Sequence, residues 1–107
     1  KTSLLVVGLP QGVRPGIFRR PLREALRDFG IRRLRVCSTH TGHCRGYAVV
    51  DLDQPEEAIA AVAPHGGIEV GESLPAKVRD SMQDGCVLAT LSRCVGGKVD
   101  TLFPFVP

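Results

Sequence analysis

Thr39-His40-Thr41-Gly42-His43-Cys44-Arg45-Gly46-Tyr47-Ala48-Val49-Val50-Asp51-Leu52 is a Thr-Gly turn that feeds a strand opening on Arg-Gly-Tyr-Ala. Successive strand side chains point to opposite faces. Ala48, Val50 and Leu52 therefore share one face, while Arg45, Tyr47, Val49 and Asp51 share the other. The three residues that open the strand have complementary chemistry. Arg45 can neutralise a phosphate, Gly46 lets a backbone come close, and Tyr47 offers a ring on which a base can stack.

Working outward, Ile31 to Cys37 alternates as a strand and makes a hairpin with the first, with residues 38–44 as a polar loop. Leu34 and Val36 face one way; Arg33, Arg35 and Cys37 face the other. Ser3 to Leu9 is an apolar run stopped by Pro10-Gln11-Gly12, as suits a buried central strand. Pro21 to Phe29 is helical in pattern, with Leu22, Ala25, Leu26 and Phe29 on one face, Pro21 in the first turn and Gly30 just past the end. A second helix begins near Pro55, with Glu56 and Glu57 favourable to the helix dipole and Ala58, Ile59, Ala61 and Val62 available for packing. His65-Gly66-Gly67 ends it. Ile68 to Val70 reads as one arm of a short hairpin and Leu74 to Val78 as the last strand, on a sheet edge because Pro75 cannot donate to a ladder.

The predicted order is β-α-β-β-α-β, a ferredoxin-like split sandwich of class α+β: a four-stranded antiparallel sheet with two helices on one face. Leu4, Val6, Leu34, Val36, Ala48, Val50, Leu52, Leu74, Ala76 and Val78 are expected beneath the helices. The opposite face carries Leu5, Val7, Arg33, Arg35, Arg45, Tyr47, Val49, Asp51, Lys77 and Arg79.

Arg45-Gly46-Tyr47-Ala48 and Val50 resemble positions one to four and six of the RNA-recognition motif octapeptide, (K/R)-G-(F/Y)-(G/A)-(F/Y)-(V/I/L)-x-(F/Y). Val49 and Leu52 replace the aromatics at positions five and eight, and Leu5 stands where the family hexapeptide usually has one. The resemblance covers residues 3 to about 79. It includes Leu9-Pro10, Phe29-Gly30, Thr41-Gly42 and Gly66-Gly67-x-x-x-Gly71, with a longer loop than usual before the first helix. It implies strand order 4-1-3-2 and single-stranded RNA bound across the sheet by Leu5, Val7, Arg33, Arg35, Arg45, Tyr47, Val49, Lys77 and Arg79. Each stacked base contributes roughly 1–3 kcal/mol, so the missing aromatics reduce the expected stacking. They favour an alternative, a protein-interaction or self-association module on the same fold, because exposed aliphatic patches tend to be contact sites.

Composition fits a soluble globular domain: 43% hydrophobic and 23% charged residues leave enough apolar material for one core among 107 residues. A net charge of +3 permits a polyanion partner without requiring one. No apolar run has the length of a membrane span. No signal-peptide pattern is visible, and Lys1 is not a natural initiator, so the chain is expected to be a fragment. Cys37, Cys44, Cys86 and Cys94 form no CxxC pair; reduced thiols fit an intracellular protein, nuclear or cytoplasmic. Cys37, His40, His43 and Cys44 form a weak metal pattern within one loop, and no metal or other cofactor is expected. No nucleophile elbow, zinc-protease helix or Walker loop occurs, so the chain reads as a binding module and not an enzyme.

Arg19, Arg23 and Arg27 form an i, i+4, i+8 stripe, read as a solvated face partly paired with Glu24 and Asp28. Residues 1–79 read as the domain and residues 80–107 as a C-terminal extension. Within it, Val87, Leu88, Leu91 and Val95 suggest a helix over 86–95, capped by Asp84 and stopped by Gly96-Gly97. That helix is expected to dock across the sheet, on this chain or a second copy, and to gate access to it.

Overall fold

The computed structural model describes residues 2–71, 74–82, 85–95 and 98–103. Its strands are β1 (Thr2–Val7), β2 (Ile31–Ser38), β3 (Cys44–Leu52), β4 (Ile68–Glu69), β5 (Cys86–Val95) and β6 (Lys98–Phe103). Its helices are α1 (Arg19–Leu26), α2 (Pro55–Val62) and α3 (Ala76–Ser81), with one-turn 3-10 segments before and after α1 and after α2. No helix among the described residues is long and apolar enough to cross a membrane.

β1 is central because its side chains are apolar on the helix side and half-buried or enclosed on the other. It pairs antiparallel with β3, from Leu4↔Val50 to Val7↔Tyr47, and with β5, from Thr2↔Arg93 to Val7↔Leu88. The sheet order is β2-β3-β1-β5-β4, with β6 also on β5. The α+β class, the antiparallel sheet and the helix-covered face match the expectation. Four strands do not: among the described residues the sheet has six, and the neighbour of β1 opposite β3 is not residues 74–78.

That neighbour is β5, the segment expected to be a docked helix. Val87, Ala89 and Leu91 enter the core, while Leu88, Thr90 and Ser92 take the other face, the alternation of a strand. A central strand needs donors on both sides, and residues 86–95 contain no proline. Leu74 to Val78, expected as the last strand, is no strand: residues 76–81 form α3 instead. Leu74, Val78 and Met82 lie i, i+4, i+8 and turn toward the core, whereas Ala76 is exposed. Pro75 caps this helix, and its carbonyl accepts from the Val78 and Arg79 N–H groups at 3.0 and 2.9 Å. The predicted cap Asp84, the stop Gly96-Gly97 and residues 104–107 lie outside the described residues.

The core lies between the sheet and the helices. Leu4, Val6, Ala48, Val50 and Ala89 meet Leu22 and Leu26 of α1 and Ala58 of α2. Phe18, in the turn before α1, is the largest fully buried side chain among the described residues. Leu34 and Val78 are only partly buried, less than expected. Gly67, at φ 138°, follows α2 where a Cβ would collide with the Val87 carbonyl, so it admits β4 against β5.

Candidate nucleic-acid interface

The face away from the helices is built in rows, because residues paired across the strands share a face. One row runs Tyr47–Val7–Leu88, from β3 through β1 to β5. The next is Arg35–Val49–Leu5–Thr90. At the far end Arg33 lies across from Asp51, and Ser3 across from Ser92.

These rows differ in access. Ser3 and Ser92 are fully buried and Thr90 nearly so. Their hydroxyls are satisfied internally. Ser3 Oγ donates to Asp51, Ser92 Oγ donates to the Ser3 carbonyl at 3.1 Å, and Thr90 Oγ1 to the Leu5 carbonyl at 3.3 Å. Val49 is buried too. By contrast Leu5, Val7, Tyr47 and Leu88 are half-buried, and Arg33, Arg35 and Arg45 are exposed. The face is thus closed at the Ser3–Ser92 end and open at the Val7–Tyr47–Leu88 end.

The basic residues are free to meet an anion. Arg33 and Arg35 form no hydrogen bond or ion pair with a described residue. Arg45 is oriented by a bond from its Nε to the Ser38 carbonyl at 3.0 Å, which leaves its terminal nitrogens available. Other arginines are engaged elsewhere: Arg20 with Glu24 at 3.2 Å, Arg27 with Asp28 at 3.9 Å, and Arg32 with Asp53.

Gly46 has a different use from the one its position suggests. Its φ of 101° and its contacts admit this chain's own loop: a Cβ would lie 3.2 Å from Gln11 and 3.3 Å from the Leu9 carbonyl. The long loop after β1 runs beside the start of β3, with Leu9 N–H to Gly46 O at 3.0 Å and Cys44 N–H to Val13 O at 2.7 Å. Cys44 is buried here, and burial pushes its thiol pKa up. Among the described residues no group of three or more His, Cys, Asp or Glu side chains is placed to hold a metal ion.

Of the nine expected site residues, Leu5, Val7, Arg33, Arg35, Arg45 and Tyr47 share the accessible part of the face. Val49 shares the face but is buried. Lys77 and Arg79 are corrected: they lie on α3, exposed, not on a strand edge. Leu88 was missed. Only the period-2 pattern Val87-Leu88-Ala89-Thr90-Leu91-Ser92 could have brought it to the face.

The sequence model of the RNA recognition motif family matches residues 5–74. No curated protein matches the chain.

Proposed function

Because the chain belongs to the RNA recognition motif family, we propose that it binds single-stranded RNA at the open end of its sheet face. The observation that carries this is the half-exposed row Tyr47–Val7–Leu88 beside the exposed, unengaged Arg35 and the oriented Arg45. One base stacks on Tyr47, and the aliphatic floor of Val7 and Leu88 packs against its sugar or a neighbouring base. Arg35 and Arg45 neutralise the flanking phosphates. Arg33 is a weaker contributor, because it lies at the Ser3–Ser92 end of the face, away from Tyr47.

With one stacking ring among the described residues of this face the affinity is modest, and charge supplies much of it. Fluorescence anisotropy with a labelled eight-nucleotide RNA of mixed sequence tests this. Binding that Tyr47→Ala weakens supports the site; binding that is indifferent to Tyr47→Ala removes the sheet from it. The aliphatic character of Leu5, Val7 and Leu88 supports the second reading, a protein partner on the same face. That reading predicts no RNA binding beyond general polyanion attraction and self-association or partner capture lost on Val7→Asp.

A further inference from the structure

The sheet ends at β2, which has β3 on one side and no strand on the other among the described residues. Outside the β2–β3 ladder no backbone hydrogen bond among the described residues reaches 31–38, and the ladder is regular from Arg33 to Val36. Such an edge offers unpaired N–H and C=O groups along its length. We propose that it takes an extended, acidic segment of a partner protein, which adds to the sheet as a further strand. The proposal does not rest on the RNA reading.

Charge selects this occupant. Arg33 and Arg35 are exposed on the sheet face and unengaged by described residues. Arg19 and Arg23 of α1 are exposed and unengaged in the same way. The fold brings the two pairs to one side of the molecule. α1 packs on β2, whereas α2 packs on β1 and β5. Ala25 of α1 lines the groove toward α2 with Ala61 and Val62. At about 3.6 residues per turn, Arg19 and Arg23 project from the other flank, the one on the side of the β2 edge. A strand laid along β2 meets Arg33 and Arg35 with one row of side chains and comes under Arg19 and Arg23 with the other. Carboxylates in both rows match. The neighbouring acids have work already: Asp53 holds Arg32, and Asp51 accepts from Ser3.

Two other occupants fit less well. A second copy of this chain, paired antiparallel about Leu34, would set Arg33 against Arg35 of that copy twice over, and like charges directly opposite are destabilising. A nucleic-acid backbone satisfies the arginines, but its phosphates accept hydrogen bonds and donate none to the edge carbonyls. An acidic peptide strand meets the arginines, the N–H groups and the carbonyls together.

The experiment measures anisotropy of the labelled peptide Glu-Glu-Val-Glu-Glu-Val-Glu-Glu with the full chain, and amide shifts in the same titration. Two control peptides accompany it: one with lysine in place of glutamate, and one with the same charges but every backbone nitrogen methylated. The expected result is saturable binding of the first peptide, with shifts along Arg33 to Val36 and at Arg19 and Arg23. Methylation should weaken it at least about tenfold, because it removes the peptide's ladder donors. The lysine peptide should not bind. Arg23→Ala and Arg33→Ala should each weaken binding about 2- to 5-fold, the size of one opposite-charge pair, while Arg20→Ala, which loses only its pairing with Glu24, should not. Equal binding of the methylated peptide, or equal losses in all three variants, would mean attraction by charge alone and overturn the strand addition. So would an eight-nucleotide RNA that shifts Arg19 and Arg23 where the peptide does not, or a concentration-dependent dimer seated on β2. If no peptide binds, the proposal falls and the RNA reading is untouched.

Discussion

Tyr47 is the only tyrosine in the chain, and it occupies the accessible row of the sheet face. On the proposed reading its ring stacks a base, so Tyr47→Ala should cost roughly 1–3 kcal/mol of RNA binding without loss of fold. The counterpart is Phe18, fully buried and remote from that face. Phe18→Ala should cost about 3–5 kcal/mol of stability, read by denaturant unfolding, with little change in RNA affinity per folded molecule. Cys44 adds a pH signature. Its thiol pKa is raised in the fold by burial, so the unfolded chain loses its proton first. Stability contributed by this group is present below the ordinary thiol pKa and declines as pH rises past it. Thermal unfolding of the wild type against Cys44→Ala across pH 7–10 should show the two converging at the alkaline end. Parallel curves would contradict the burial argument.

At the scale of elements, β5 decides whether the domain folds. It supplies six paired positions to β1, from Thr2↔Arg93 to Val7↔Leu88. Truncation after Gly85 should therefore unfold the chain and collapse its amide spectrum instead of uncovering a folded sheet. Thr90→Pro should act in the same direction, because it places a proline in a central strand. A truncated chain with dispersed amide shifts would contradict this. The strand was hidden for a physical reason. Val87, Leu91 and Val95 lie at i, i+4, i+8, a spacing that fits the helical period of 3.6 and the strand period of 2 alike. The deciding residues were Ala89 on the core side and Thr90 and Ser92 opposite. Leu74 and Val78 carry the same ambiguity, resolved toward helix by Met82 at i+8 and by exposed Ala76. Where glycine, proline and charge marked the ends, as in β1, β3, α1 and α2, the elements were legible. So was the Arg45-Gly46-Tyr47 opening of β3. The packing of the loop after β1 against Gly46 was not, because it joins segments remote in sequence.

At the scale of the whole molecule, helices cover one face of the sheet, and the other is buried at Ser3 and Ser92 and more accessible at Tyr47, where the proposed reading puts the RNA. If Arg35 and Arg45 each meet one phosphate, the slope of log affinity against log salt should be about −1.4. A slope near zero would indicate binding by other means. The most direct measurement is a titration of the amide-labelled full chain with unlabelled mixed-sequence single-stranded RNA, followed by NMR. The account predicts saturable shifts concentrated at Val7, Arg35, Arg45, Gly46, Tyr47 and Leu88, with the α1 and α2 amides undisturbed. Shifts confined to the arginine-rich surface of α1, or no shifts at all, would contradict it.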